Sequence, residues 1–294
     1  MEKFGKELPA AKRDAVCIVT LDQEQWGTAY MSYALAKQAH VNLQFYYGQT
    51  TGKIPDSKVY MLPSISGAWV LRKEVLDQLL LKVAEGATLY ISNDSGNLAE
   101  FEKITGVHIF NSMKIPENCS MNLEGEEISF SRTKRYYVKE NDVEVLAKDN
   151  LDMPAFTQKS FGKGKVYYVN FPLESMLLEE NFAFDTNRYK IYDKIFEDVK
   201  RSHPVYIGNS HVGMTCHYEK ITSPSNSCTE SQSGDICYVV LINYSDKEQY
   251  VDMHVNDDYK ILEISSNTKL EKLSPVPVEI LPANEAVVLM LQKK

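Results

Sequence analysis

No stretch of the chain approaches the ~18–20 consecutive apolar residues that a membrane-spanning helix requires. Its opening residues, MEKFGKELPAAKRD, lack the apolar core of a secretion signal. These two absences predict no membrane partner and a cytoplasmic location, provided nothing precedes residue 1. Cationic charge is also short: 32 Lys and Arg against 40 Asp and Glu leave a net charge of −8. That excludes nucleic acid as an expected partner, because phosphate binding needs a cationic face. The five cysteines are an odd number without framework spacing, which fits a reduced interior and no disulfide scaffold. No G-x-G-x-x-G and no P-loop occurs. FGKGK (161–165) precedes an apolar strand, whereas a phosphate loop must follow one and open a helix. No cofactor is expected.

What is present is an ordinary globular composition, 44% apolar and 24% charged. Its 294 residues allow one large domain or two ordinary ones. Tyrosine is abundant, 18 residues, which suits strands with one wet face and also sugar contacts. Residues 15–21 (AVCIVTL) form a continuous apolar run, as in a strand buried on both faces. A helix over 24–39 is expected to turn Tyr30, Ala34 and Leu35 to one side. Strands follow at 41–48 and 58–64. Val75, Leu76, Leu79, Leu80 and Val83 then make a helical stripe that ends at Gly86. The strand ATLYIS and the polar turn Asn93-Asp94-Ser95-Gly96 come next, then a short helix to Gly106. Strands alternating with helices at this spacing indicate an α/β fold with a largely parallel, doubly wound sheet.

Residues 107–160 break the rhythm with short, half-exposed strands, an insertion or antiparallel extension. It resumes at FGKGKVYYVNF (161–171), and a helix around 186–201 closes the first domain. From about 204 the pattern is all-β, as in a small β-sandwich, interrupted by the polar loop 222–235. The expected organisation is a linker over 1–14, an α/β domain over 15–203 and a β domain over 204–294.

Chemistry-bearing candidates each carry a plainer reading. In open α/β sheets ligands bind beyond the carboxyl ends of strands. That edge should hold Asp22 and Trp26 after the first strand, Trp69 after the third, and Asn93, Asp94 and Ser95 after the fourth. The two tryptophans can stack on a sugar, fill a subunit interface or pack locally. The Asn93–Ser95 turn lacks the glycines of a nucleophile elbow, and no cysteine lies near it. His108 and His203 stand in no recognisable motif. Helix capping explains the turn equally well. Cys216, His217, Cys228 and Cys237 do not have zinc-site spacing, and no metal is expected. Glycosidases need two carboxyl groups at a set separation. Glu24, Glu85, Asp94, Glu174 and Asp185 are available, but sequence does not pair them.

Several segments resemble one family. Asp22 and the Trp26 helix after strand one, VYMLPSISG (59–67), LRKEVLDQLLLKVAEGATLYISNDSG (71–96) and GKGKVYYVNFPLE (162–174) are similar to the trimerisation domain of the β-galactosidases of glycoside hydrolase family forty-two. PVEILPANEAVVLML resembles the final strands of the small β domain that ends those enzymes. MEKFGKEL resembles the segment that follows their catalytic barrel. The resemblance implies a flavodoxin-like, class I glutamine amidotransferase-like fold without amidotransferase activity. It implies homo-oligomeric association, a possible share in a sugar cleft and an upstream (β/α)8 barrel as partner. Such a barrel takes about 250 residues, and nothing here supplies it, so no residue of this chain inherits a catalytic role. Two further readings stay open: a stand-alone carbohydrate-binding module using Trp26 and Trp69, and a small serine hydrolase using Ser95.

Overall fold

The computed structural model describes residues 8–20, 26–49, 52–68, 70–114, 117–132, 134–180, 185–220, 233–266 and 279–294. Asp22, Glu24, Trp69, Cys228 and most of the 222–235 loop lie outside them. Two compact units emerge. One comprises residues 14–36 and 43–196; the other comprises 1–13, 37–42 and 197–294.

The first unit opens with β1 (Ala15–Val19), α1 (Trp26–Gln38), β2 (Leu43–Tyr47), β3 (Val59–Ile65), α2 (Lys73–Glu85), β4 (Thr88–Asn93) and α3 (Phe101–Thr105). An insertion of strands follows: β5 (Val107–Met113), β6 (Glu117–Leu123), β7 (Glu126–Arg132), β8 (Arg135–Glu140) and β9 (Glu144–Lys148). β10 (Pro154–Phe161), β11 (Gly164–Val169), α4 (Leu173–Met176) and α5 (Tyr189–Ile195) complete it. Seven strands make one sheet in the order β2-β1-β3-β4-β11-β10-β9. The first five are mutually parallel, and β10 and β9 extend the sheet antiparallel.

β3 and β4 are buried at every position, as their unbroken apolar runs require of central parallel strands. Period-two alternation sorts their side chains between two faces. Val16, Ile18, Tyr60, Leu62, Leu89, Ile91, Val166 and Tyr168 share a core with Val75, Leu76, Leu79 and Val83 of α2. Cys17, Met61, Tyr90, Ser92 and Tyr167 point the other way.

Two helices depart from expectation. In α1 Tyr30 is 63% exposed, whereas Thr28, Ser32, Leu35 and Ala36 are buried. The inward face is small and hydroxyl-bearing, and Ser32 satisfies its Oγ by donating to the Thr28 carbonyl at 2.8 Å. Leu35 of the expected stripe does face inward and Ala34 is half-buried, whereas Tyr30 does not join them. The helix expected over 186–201 is two pieces. It breaks at Phe196, whose φ/ψ of −96°/6° ends α5, and restarts as α6 (Glu197–Lys200).

The insertion forms an antiparallel ribbon, β5/β8, and a hairpin, β6/β7, that lies between those two strands in sequence. Its buried polar centre is Arg132, 3% exposed, whose guanidinium holds Glu117 at 2.6 Å and Asp149 at 2.8 Å. Arg135 also grips Glu117. Burial pushes the Glu117 carboxyl up. The hydrogen bonds and charges of Arg135 and Arg132 outweigh that and hold it below its ordinary value.

Among its described residues the second unit is all-β apart from α6 and the last two residues of α1. β13 (Val212–Lys220), β14 (Ser233–Asn243), β19 (Ala286–Lys293) and β17 (Tyr259–Ser266) form an antiparallel sheet in the order β13-β14-β19-β17. Two ribbons accompany it: β12 (Val205–Ile207) with β16 (Met253–Val255), and β15 (Gln249–Tyr250) with β18 (Ile280–Leu281). Val205, Ile207, Met253 and Leu281 from the ribbons, and Val251 between β15 and β16, share one core with Met214, Val239, Leu241 and Leu289 of the sheet. Among the described residues no helix is long and apolar enough to cross a membrane.

Candidate functional site

The parallel strands β1, β3, β4 and β11 end at one edge of the sheet. Chain order reverses between β1 and β3, the position where such sheets bind ligands. Asp22 and Trp69 lie outside the described residues, and Trp26 is the first residue of α1. The other three expected residues share one turn beyond β4. Asn93 is 1% exposed and its Oδ1 accepts the Gly96 N–H at 3.2 Å. The N–H groups of Asp94 and Gly96 both donate to the Ile65 carbonyl at the end of β3, at 2.8 and 3.0 Å. A Cβ on Gly96 would lie 2.7 Å from the Ile65 carbonyl, so only glycine allows this docking. Ser95 is exposed and left-handed, with φ of 62°. The turn is thus a clasp joining β4 to β3. His108 donates from Nδ1 to the Glu102 carboxylate at 2.9 Å on the surface.

A dense polar constellation among the described residues is one that no motif announced. Glu174, in the first turn of α4, is fully buried. Its Oε1 accepts the hydroxyls of Tyr90 at 2.7 Å and Tyr192 at 2.8 Å. Its Oε2 accepts those of Ser64 at 2.8 Å and Ser92 at 2.5 Å. A carboxyl group has about four acceptor positions, and hydroxyls take all four. Ser64 has φ of 41°, a left-handed conformation unusual for serine. The arrangement that holds it is dense: its N–H donates to Ser92 Oγ at 2.6 Å, and its Oγ accepts the N–H groups of Glu174 and Ser175 at 3.1 and 3.0 Å. Those are first-turn donors of α4 that would otherwise lack partners. Burial, then the Glu174 carboxyl, drives the Tyr90 and Tyr192 phenols well above their ordinary value. Cys17 beneath them is raised by the same two causes.

Chemically the cage carries a serine, a carboxyl group and two N–H groups aimed at one oxygen. Each is spent on another protein group, and Ser64, Tyr90, Ser92, Glu174 and Tyr192 are all 1% exposed or less. The arrangement ties β3, β4, α4 and α5 together and presents no open side to a substrate. A faint signal existed: Ser64 and Ser92 interrupt apolar strand ends, and Glu174 follows the last parallel strand. Their contacts span 82 and 110 residues of chain, which local spacing does not reveal.

In the β unit, burial pushes the Cys237 thiol up to about 12, and Cys216 is buried beside it on β13. His217 is occupied on both ring nitrogens, by the Pro9 carbonyl at 2.7 Å and Thr215 Oγ1 at 3.0 Å. Among the described residues no three His, Cys, Asp or Glu side chains could together hold a metal ion.

No protein-family model matches the sequence. No curated protein matches it either. Solved structures do match in fold. Gan42B, a GH42 β-galactosidase, aligns with 96% of this chain at a TM-score of 0.60 and 14% identity, over 40% of its own length. The β-galactosidase of Rahnella sp. R3 aligns with 97% at 0.64 and 13% identity, over 42% of its length. α-L-Fucosidase isoenzyme 2 of Paenibacillus thiaminolyticus aligns with 97% at 0.67 and 10% identity, over 49% of its length. The chain therefore spans less than half of each of these proteins while being matched almost throughout. At such identities the likeness establishes the fold shared with part of those enzymes.

Proposed function

We propose that this chain is the carboxyl-terminal, non-catalytic module pair of a glycoside hydrolase related to the β-galactosidases. The α/β unit is of the amidotransferase-like, flavodoxin-like kind and serves subunit association. Its strand-end residues Asp22, Trp26, Trp69, Asp94 and Ser95 form a subunit interface or the margin of a neighbour's sugar cleft, and buried Asn93 holds their turn in shape. The catalytic carboxyl groups reside on a barrel upstream. The observation that carries this reading is the asymmetry of coverage: 96–97% of this chain against 40–49% of the glycosidases. The closure of the Glu174 cage supports it, since this buried acidic residue of the sheet edge is consumed by the fold.

Two measurements test it together. The polypeptide in its source cell, probed with an antibody to this chain, should exceed 33.5 kDa by a barrel of about 250 residues or more. The purified 294-residue chain should not turn over a nitrophenyl galactoside. A native species of 33.5 kDa, or turnover that co-purifies with the chain, overturns the proposal.

A further inference from the structure

The β6/β7 hairpin has two unlike faces. Cys119, Met121, Ile128 and Phe130 are buried on one. The other carries cross-strand pairs of small polar residues, Asn118 opposite Ser131 and Ser120 opposite Ser129. A solvent-facing ribbon ordinarily carries long charged side chains; here short ones leave a groove of about 480 Å³. Its walls are built. On one side Arg188, 6% exposed, donates from Nε to the Ser129 carbonyl at 2.7 Å and from Nη1 to Glu180 at 2.5 Å. Glu180 also accepts the Ser131 hydroxyl at 2.9 Å. On the other side Asn150 is fixed by its N–H to the Ser120 carbonyl at 2.9 Å and by its Oδ1 on the Ser120 N–H at 3.3 Å.

We propose that this groove binds a neutral carbohydrate of one or two pyranose units. Charge argues for neutrality: the Arg188 guanidinium is already paired with Glu180, and Glu127 adds a negative charge at the rim, so an anion is disfavoured. The exposed lining groups then decide the class. The Ser120 and Ser129 hydroxyls, the Asn118 amide and the Asn150 amide NH2 have no side-chain partner among the described residues. Hydroxyls and amides both donate and accept, which is what successive sugar hydroxyls require. Cross-strand neighbours stand ~4.5–5.5 Å apart, a span over which a pyranose displays its hydroxyls. The volume falls within the ~300–1,000 Å³ of small-molecule sites. Carbohydrate rather than another neutral polyol rests on the glycosidase reading above. The site itself rests on the groove.

The test is calorimetric titration of the whole chain with lactose and galactose, with sulfate as the anionic control. Saturable binding near ~1 mM is expected for so open a site. Ser129→Leu, which fills the groove from an exposed position, should weaken it at least ~10-fold. Asn118→Ala, also exposed, should weaken it about 3-fold with unchanged thermal unfolding. Absence of sugar binding, binding unaltered in both variants, or tighter binding of sulfate each overturns the groove assignment. The two proposals fail separately: a large native polypeptide with no sugar in the groove retains the module reading alone, and a 33.5 kDa native chain that binds lactose retains the groove alone.

Discussion

Glu174 and Asp149 are both buried acidic groups of the α/β unit, and the fold satisfies them by opposite means. Glu174 meets only neutral hydroxyls, drawn from β3, β4 and α5 and separated from it by up to 110 residues of chain. Asp149 meets the Arg132 guanidinium and two N–H groups of its own turn, those of Leu151 and Met153, at 2.9 and 3.0 Å. The first is a tie across the sheet edge; the second is a local anchor for an inserted hairpin. Hydroxyl donors contribute modestly one at a time but gather several elements around one atom. A guanidinium concentrates the same task in one side chain and fails all at once when that side chain goes.

The largest expected effect comes from breaking the tie. Glu174→Leu leaves four buried hydroxyls without an acceptor, at ~1 kcal/mol or more each. Urea unfolding should show a loss of about 4 kcal/mol or more. Glu174→Gln keeps an acceptor oxygen and should cost about half of that. A Glu174→Leu loss below ~1 kcal/mol would mean that the hydroxyls find other partners and that the cage does not hold the edge together.

Next in size is Arg132→Leu. Removing one member of a buried charged cluster costs about 3 kcal/mol or more, because Asp149 loses its only charged partner among the described residues and Glu117 keeps Arg135 alone. The damage should be local: hydrogen exchange should accelerate in β6 and β7 while the β3 and β4 amides stay protected. Acid should produce a milder version. Glu117 is held below its ordinary value of 4.5, so its contribution is present above that pH and disappears as pH falls through the folded value. Uniform acceleration across the unit would show that the insertion is no separate anchor.

These two clusters also mark how far sequence reasoning reached. The parallel sheet was legible because β1, β3 and β4 are apolar runs at βαβ spacing. The insertion was legible because EEISFSR and KRYYVKE alternate at period two where that rhythm stops. The inward face of α1 was legible at Leu35 and not at Thr28 and Ser32, where hydrogen bonding and not hydrophobicity accompanies burial. The cage was invisible for the same reason. Ser64, Tyr90, Ser92, Glu174 and Tyr192 are individually unremarkable, and only tertiary pairing gives them a shared role. Asn93-Asp94-Ser95-Gly96 stood out because turn residues are conspicuous locally. Its visible function in the structure is the clasp onto Ile65.

His40 sharpens the contrast from the other unit, because it is buried with one nitrogen left over. Its Nε2 reaches the Asn209 carbonyl at 3.0 Å, whereas Nδ1 has no partner among the described residues. Burial first, then the Lys200 and His203 charges, lower its pKa from 6.5 to about 3, against hydrogen bonding to the Asn209 backbone and, more weakly, the Val212 backbone. The folded value lies below the unfolded one, so protons bind the unfolded chain preferentially. Stability is complete above pH 6.5 and declines as pH falls from there toward 3. At pH 5 the loss from this residue alone should reach about 2 kcal/mol. His40 adopts φ of 61°, which asparagine tolerates, so His40→Asn removes the titration without straining the backbone. Unfolding of the β unit, followed from pH 7.5 to 5, should be distinctly flatter in His40→Asn than in the parent. Parallel curves would show that the imidazole gains a proton acceptor on folding, and that this buried group, like Glu174, is satisfied after all.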